Sequence, residues 1–257
     1  MVSLNIFLTH RKISEKIQQE LFGKKRIIEV NRPFLLISDV HGNFPAFLEA
    51  VKFSKEKGIL DIVSLGDIID YNHMNNEILD YFFNSKDIIA TIRGNHENEI
   101  VFRANQAFCS HTGDQLNYKY AQMAKSLPEN LILSLQGKVK ILLCHSNPYN
   151  NEQFYLFPPD TIDMQERLNY VLKDLDNRLN GIFYGHSHIK TFYQVNKKFI
   201  FNPGSLGYPR LSQGKLFFSH VYPNEKVIEL YIIKCDLQND LKLLSKPFLA
   251  EKIFFVH

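Results

Sequence analysis

Residues 34–43 read FLLISDVHGN, a short apolar run followed by an Asp-Val-His-Gly segment. Four consecutive apolar residues with polar residues behind them are typical of a strand that is buried on both faces. Two similar units follow: residues 61–70 read DIVSLGDIID and residues 88–97 read IIATIRGNHE. Residues 45–57 and 75–83 between them have helical patterns. The order strand–helix–strand–helix–strand predicts parallel pairing with right-handed crossovers.

Polar side chains recur at a fixed distance behind these strands. Asp39 lies 28 residues before Asp67, which lies 28 residues before Asn95. Because a strand–helix–strand unit takes about 30 residues, the three side chains are expected at the carboxyl edge of one sheet. Open parallel sheets bind ligands at that edge. His145 follows a later predicted strand, and the segment Gly185-His186-Ser187-His188 comes after it.

The second half of the chain has a different pattern. Residues 131–135 and 139–144 flank Gln136-Gly137, which predicts a hairpin. Further strands are predicted at residues 181–184, 191–195, 198–202, 215–222 and 227–233. A parallel first half and a second half with many short links predict two packed sheets with helices outside. Residues 98–126 are polar and are predicted to be mostly helical, a candidate cap.

Composition and charge place the chain among ordinary globular proteins. It has 257 residues, of which 45% are hydrophobic and 22% charged, with a net charge of +3. Residues 1–32 hold seven Lys or Arg against three Glu, so we assign them to a basic helical extension and residues 33–257 to the main domain. Ile13, Ile17 and Leu21 suggest an amphipathic helix there. Such a segment is either a solvated surface or a contact for phosphates.

Cysteine usage and hydropathy bear on the compartment. Cys109, Cys144 and Cys235 are an odd, sparse set, which is not a disulfide framework. A reducing compartment, the cytoplasm, is therefore expected. No run approaches the roughly 20 apolar residues of a membrane span, so no membrane partner is expected.

The candidate residues suit a pair of divalent metal ions. Asp39 and His41 are two apart and point the same way from an extended chain, as do His186 and His188. Carboxylate and imidazole ligands bind Mn, Fe, Zn or Ni, and the chain has no thiolate cluster that would select a softer metal. Mn is favoured here. Two ions about 3.5–4 Å apart clamp the attacking and leaving oxygens of a displacement at phosphorus.

Taken together, these segments resemble the calcineurin-like metallophosphoesterase family from about Phe34 to Arg210. The resemblance implies an α/β fold, a four-layer α-β-β-α sandwich with mixed sheets and helices outside. It also implies an enzyme that hydrolyses a phosphodiester or phosphomonoester with two divalent ions. Residues 39–46 (DVHGNFPA) and residues 202–205 (NPGS) with Arg210 are most similar to the bacterial and archaeal phosphodiesterase-like branch.

The resemblance also implies roles for single residues. Asp39, His41 and His188 would hold the first ion with a bridging Asp67, and Asn95, His145 and His186 would hold the second. His96 would give its proton to the leaving oxygen after a hydroxide held by the metals attacks, and Asp70 would orient His96. Asn43 and Arg210 would contact the substrate, although Arg210 could equally form a surface pair.

Other functions remain open. Residues 93–97 (RGNHE) are similar to the Ser/Thr protein phosphatases, but those have Arg where this chain has Tyr71. A nuclease could use the basic N-terminal segment to follow a phosphate backbone, so nucleic acid is an alternative partner. A non-catalytic scaffold with the same fold is a third alternative. The presence of all seven ligand candidates and of His96 favours an enzyme.

The remaining histidines are expected to be structural or on the surface: His10, His73, His111, His220 and His257. His73 is the doubtful one because it follows Asp70 closely. Cys109 and His111 would be two zinc ligands without partners, which is a weak signal. Cys144 precedes His145 on a predicted strand, so its side chain is expected in the core. The substrate and the oligomeric state are not readable from the sequence.

Overall fold

Two six-stranded sheets and one small sheet organise the computed structural model, which describes residues 27–150, 152–210, 214–235 and 244–255. The strands are β1 (Ile27–Val30), β2 (Phe34–Ile37), β3 (Asp61–Ser64), β4 (Ile88–Thr91), β5 (Val101–Arg103), β6 (Gln106–Phe108), β7 (Gln115–Leu116), β8 (Asn130–Leu135), β9 (Val139–Cys144), β10 (Gly181–Phe183), β11 (Thr191–Val195), β12 (Lys198–Asn202), β13 (Lys215–Tyr222), β14 (Val227–Lys234) and β15 (Phe248–Phe254). The helices are α1 (Phe44–Glu56), α2 (Asn75–Asn84), α3 (Asn95–Asn98), α4 (Tyr118–Lys125) and α5 (Ile162–Asp174).

The first sheet has the order β15-β14-β13-β2-β3-β4. Its strands β2, β3 and β4 run parallel, as the sequence predicts. On the other side of β2 lies β13, which is antiparallel and comes from the far end of the chain. The second sheet has the order β1-β8-β9-β10-β12-β11 and contains the predicted hairpin of β8 and β9. Both halves of the chain therefore contribute to the first sheet.

Alternating side chains build the layers. In β2, Phe34 and Leu36 face the second sheet, whereas Leu35 and Ile37 pack under the helices on the outer face. In the second sheet, Leu143 faces inward, and Leu142 packs with α5 on the other side. The layers are therefore helices, first sheet, second sheet and α5, because successive strand residues point to opposite faces. The predicted four-layer sandwich with helices outside is confirmed.

The N-terminal boundary differs from the predicted one at residue 32. Strand β1 pairs in parallel with β8, from Ile27 opposite Ile132 to Val30 opposite Leu135. Val30 is buried between the sheets. Four residues next to a basic run do not show a strand period, and their pairing partner lies far along the chain, so sequence alone missed the strand. The amphipathic helix predicted around residues 13–21 lies outside the described residues.

Removal of β1 should destabilise the fold. A chain that starts at residue 31 should have a free energy of unfolding at least about 2 kcal/mol lower than one that starts at residue 25, since it loses the burial of Val30 and a strand ladder. Urea unfolding of the two proteins measures this difference. Equal midpoints and slopes would show that the pairing with β8 contributes nothing and that the domain starts after β1.

The prediction that residues 98–126 are mostly helical is wrong. They form the antiparallel sheet β5-β6-β7 and only one eight-residue helix, α4. Strands β5 and β6 are joined by a two-residue turn in which Ala104 has a φ of +52°. Strands of two or three residues are too short to show a period of two, so the pattern was not detectable.

No helix among the described residues has the length and apolarity to cross a membrane. The side chains of Cys109, Cys144 and Cys235 are buried. Cys144 packs with the core beneath α5, as expected from its place on the strand before His145.

Candidate metal centre and active site

Loops that follow five strands bring the predicted metal ligands together. Asp39 and His41 follow β2, Asp67 follows β3, Asn95 follows β4, His145 follows β9, and His186 and His188 follow β10. Backbone hydrogen bonds join neighbouring loops: the His41 amide donates to the Asp67 carbonyl at 3.0 Å, and the Gly185 amide donates to the His145 carbonyl at 2.7 Å. The predicted convergence at the carboxyl ends of the strands is therefore confirmed.

The first cluster consists of Asp39, His41, Asp67 and His188, whose ligand atoms all lie within 4.8 Å of one another. The Nε2 atoms of His41 and His188 are 3.0 Å apart, and His188 Nε2 is 3.3 Å from Asp39 Oδ1. Asp67 Oδ2 lies 3.8 Å from His41 Nε2. All four side chains are buried. A cation among these atoms would satisfy both imidazole lone pairs and both carboxylates.

The second cluster shares Asp67 with the first and adds His145 and His186. His145 Nε2 is 3.1 Å from Asp67 Oδ2. The side-chain oxygen of Asn95 lies 3.2 Å from His145 Nε2 and 2.9 Å from His186 Nδ1. The donor set of carboxylate, amide oxygen and imidazole suits a divalent ion of the Mn, Fe, Zn or Ni type. One carboxylate therefore stands between two sets of ligands, which is the geometry of a bridging residue.

Backbone carbonyls hold the outer nitrogens of the four imidazoles. The pairs are His41 Nδ1 with Ile69 O at 3.2 Å, His145 Nδ1 with Leu65 O at 2.7 Å, His188 Nδ1 with Tyr208 O at 2.6 Å, and His186 Nε2 with Glu152 O at 2.9 Å. Each ring donates its N–H to a carbonyl, which fixes the tautomer and leaves the inner nitrogen as a lone-pair ligand. These four contacts orient the rings for metal binding.

Burial and neighbouring charges shift the pKa values of residues in the two clusters. Burial lowers the pKa of His41 to about 3 and that of His186 to about 4, so both rings are neutral at neutral pH. Burial opposes charge on His145 as well, but the Asp67 carboxylate outweighs it and raises the pKa of His145 to about 10. The buried carboxylate of Asp67 therefore attracts positive charge strongly, either a proton on His145 or a metal ion.

Five of the predicted ligands have left-handed backbone conformations: Asp39, His41, Asp67, His186 and His188, with φ between 50° and 63°. This conformation costs residues other than glycine roughly 1–2 kcal/mol each. Strain of this kind collects at functional sites, where the surrounding structure enforces it. Here the loop hydrogen bonds between neighbouring strands enforce it and turn the side chains inward.

The predicted catalytic pair lies beside the clusters. His96 Nδ1 is 3.3 Å from Asp70 Oδ2, and His96 Nε2 faces Asp67 Oδ2 at 3.9 Å. The His96 amide donates to Asp67 Oδ1 at 3.0 Å. Burial opposes charge on His96, but the hydrogen bond to Asp70 outweighs it and raises the pKa of His96. The geometry places the Nε2 atom of His96 next to the carboxylate that the two clusters share.

An open pocket of about 400 Å³ is lined by His96 and by Asp67, the residue that both clusters share. Arg210 and Tyr71 line it together with Asp67, Asn95 and His186. The ring of Tyr71 is 4.6 Å from the rings of His41 and His96. Arg210 is exposed at the wall of this pocket, and its contact with a substrate stays a prediction.

Asn43 makes two structural hydrogen bonds, and its predicted contact with the substrate stays a prediction. Its side-chain oxygen accepts from the Ala46 amide at 3.3 Å and caps α1, and its Nδ2 donates to the Gly207 carbonyl at 3.3 Å. The side chain is buried. Both ends of the amide are therefore used to fix the loop that carries Asp39 and His41.

The other histidines lie in different environments. His73 is 76% exposed and bonds to Asp114 at 3.0 Å, outside the clusters. His220 is buried and bonds to Ser54 Oγ at 2.8 Å, as expected of a structural residue. His10 and His257 lie outside the described residues. His111 is exposed, as expected, and it also lines the pocket and lies 3.0 Å from Asp70.

Glu97 is a further residue of the site that sequence reasoning missed. Its buried carboxylate accepts four backbone N–H groups: from Asp67 at 3.0 Å, Gly94 at 2.8 Å, Ile68 at 2.8 Å and Ile69 at 3.3 Å. It thereby joins the loop of Asp67 to the loop of Asn95. The only available sequence signal was its position three residues after Gly94, where an acid reaches back to a helix N-terminus.

Glu97→Gln should lower the free energy of unfolding by at least about 3 kcal/mol, since an NH₂ group replaces an oxygen that accepts two charge-assisted bonds. The metal content should also fall, because the Asp67 loop loses its support. Urea unfolding and elemental analysis measure the two effects. Glu99→Gln, an exposed change two residues away, should alter neither quantity. A Glu97→Gln protein as stable as wild type with full metal content would contradict this role.

Comparisons with known proteins identify the family and agree with the fold. The sequence model of the calcineurin-like phosphoesterase superfamily domain matches residues 33–222. An uncharacterized protein of Methanocaldococcus jannaschii is 26% identical over 248 residues, 85% of this chain and 96% of that protein. The crystal structure of a metallophosphoesterase from Sphaerobacter thermophilus superposes with a TM-score of 0.64 at 22% identity, covering 80% of this chain and 89% of that one. A hypothetical protein from Pyrococcus horikoshii gives a TM-score of 0.61 at 16% identity, covering 82% and 90%. Because the superfamily match covers most of the chain, the protein belongs to the calcineurin-like phosphoesterase superfamily.

Proposed function

We propose that this protein hydrolyses a small phosphate ester with two divalent metal ions held by the two clusters. The observation that carries the proposal is the shared carboxylate: Asp67 belongs to both sets of ligand atoms, and His96 lies next to it. Asp39, His41, Asp67 and His188 would hold one ion, and Asp67, Asn95, His145 and His186 the other. Mn is the favoured metal, with Fe, Zn and Ni as alternatives.

Two bound ions would supply charge neutralisation for the phosphoryl group and a nucleophilic water at neutral pH. The residues of the chain do the rest. Asp70 accepts the Nδ1 proton of His96, so the proton available for transfer is on Nε2, which faces the metal ligands. His96 would give that proton to the leaving oxygen, a role that contributes about 10²–10⁴-fold in rate. Arg210 would bind a phosphate oxygen at the pocket wall.

The surface of the pocket disfavours long polyanions. Glu99 and Glu152 are exposed and line it together with the ligand candidates. A nucleic acid that continues past the reacting phosphate would bring further phosphates near these carboxylates, and like charges repel. The Arg that protein phosphatases use is replaced by Tyr71. A small ester is therefore preferred over a nuclease or protein phosphatase function.

A non-catalytic scaffold is the remaining alternative, and only a measurement of activity can exclude it. The protein, stripped with a chelator and dialysed, should regain two ions per chain from Mn²⁺, Fe²⁺, Zn²⁺ or Ni²⁺. It should then hydrolyse p-nitrophenyl phosphate or bis-p-nitrophenyl phosphate. The chelated protein serves as the control and should be inactive. Binding of two ions without turnover of either ester, or of alkyl phosphates, would favour the scaffold and contradict the proposal.

A further inference from the structure

Two imidazoles share one carboxylate oxygen in this pocket. Asp70 Oδ2 lies 3.3 Å from His96 Nδ1 and 3.0 Å from His111 Nδ1. The same oxygen accepts the His111 amide at 3.1 Å and the Ser110 hydroxyl at 3.1 Å. His111 is therefore attached to Asp70 by both its ring and its backbone. Its ring orientation is set by the acid that also orients His96.

The ring of His111 lines the pocket beside His96 and Tyr71. Its ring centroid is 4.8 Å from that of His96 and 5.1 Å from that of Tyr71. The side chain is 46% exposed and lines the same pocket as His186 and Arg210. Within the part of the chain that the structure describes, its Nε2 atom has no hydrogen-bond partner.

The protonation state of the His111 ring determines whether Nε2 accepts or donates a hydrogen bond. Because Nδ1 donates to Asp70, Nε2 carries a lone pair in the neutral ring and an N–H in the protonated ring. A phosphomonoester has a second ionisation with a pKa of about 6, so near neutral pH it also exists in two forms. A neutral ring can accept the P–OH of the monoanion, and a protonated ring can donate to the dianion. In both cases one proton lies between Nε2 and the phosphate oxygen.

A phosphodiester has no such match. Its third oxygen carries a carbon substituent in place of a proton or a full charge, so it cannot donate and accepts only weakly. The lone pair of a neutral ring would oppose the lone pairs of this ester oxygen, and the N–H of a protonated ring would donate to an oxygen that carries no charge.

We propose that His111 binds a terminal phosphoryl oxygen and makes the site prefer phosphomonoesters over phosphodiesters. This inference rests on the proposed phosphoesterase function and names its substrate class. It makes His111 a second substrate-contacting imidazole beside His96. Asp70 then orients two rings. It orients His96 toward the leaving oxygen and His111 toward an oxygen that remains on phosphorus.

The test compares two esters with the same leaving group. Initial rates on p-nitrophenyl phosphate and bis-p-nitrophenyl phosphate are measured for the Mn-loaded wild type, His111→Ala and His73→Ala. Wild type should have the higher kcat/KM on the monoester. In His111→Ala the monoester value should fall about 10- to 100-fold, the range for loss of a hydrogen bond to a charged group, and the diester value should change less than threefold. His73→Ala removes an exposed ring that also bonds to a carboxylate and should change neither.

Inorganic phosphate provides a second measurement that does not depend on turnover. It has the same terminal oxygens, so its dissociation constant, measured by calorimetric titration of the Mn-loaded protein, should rise in His111→Ala by about the factor seen for the monoester. An equal fall for both esters would overturn the proposal and show that His111 only positions Asp70. No change for either ester would also overturn it. If wild type hydrolyses neither ester, the proposed function fails, which is a separate result; phosphate binding unaltered by His111→Ala would then reject the contact as well.

Discussion

Asp67→Asn should remove activity almost completely and weaken both metal sites. Its carboxylate is the one group common to the two clusters, 3.8 Å from His41 and 3.1 Å from His145. We expect kcat/KM to fall by more than about 10³-fold, since the ions supply several kcal/mol of charge stabilisation. The affinity for each ion should fall by more than about 100-fold, the upper range for the outer partners of metal ligands. Calorimetric titration of the stripped protein with Mn²⁺ measures the affinities.

Asparagine tests the role of Asp67 more specifically than alanine does. Asp67 has a φ of +51°, which asparagine adopts more easily than alanine does. The oxygen of the amide can still accept the His96 amide, which donates to Asp67 Oδ1 at 3.0 Å. Stability should therefore change little while the charge and the second oxygen are lost. Asp61→Asn, at the other end of β3, should keep both ions. Loss of affinity at only one site would show that Asp67 does not bridge.

His96→Ala should separate substrates by the quality of their leaving groups. His96 is not a member of either metal cluster that contains Asp67, so the variant should retain two ions. Its activity on alkyl phosphate esters should fall about 10²–10⁴-fold, the contribution of a general acid. On p-nitrophenyl esters the loss should be smaller, because nitrophenolate leaves without needing a proton. The measurement is kcat/KM across a series of esters with leaving groups of increasing basicity.

The slope of log kcat/KM against leaving-group pKa identifies the role of His96. For His96→Ala, log kcat/KM should decline more steeply with leaving-group pKa than for wild type. Asp70→Asn should show the same change in slope to a smaller degree, since it removes the carboxylate that accepts the Nδ1 proton at 3.3 Å. Parallel lines for His96→Ala and wild type would make His96 a phosphate-binding group. Loss of a metal ion would make it a ligand.

The sequence by itself predicted the side chains that form the two clusters. Asp39, Asp67 and Asn95 each follow a short buried strand, and parallel strands bring their carboxyl ends to one edge. Residue type, strand position and chain spacing are local properties, so they could be read without knowing any contact. The same holds for β2, α1 and the hairpin of β8 and β9.

Only the tertiary structure decided which other residues belong to the site. His111 reaches Asp70 across 41 residues, and Glu97 reaches the amide of Asp67 across 30. Neither separation leaves a periodic trace, because the contacts depend on how whole loops fold against each other. Likewise β1 was hidden until its pairing with β8 was known, and Asn43 carries the same amide whether it caps a helix or binds a substrate. Local sequence patterns predict strands and the residues at strand ends. The hydrogen-bond partners of a side chain depend on long-range packing, and no short stretch of sequence reveals them.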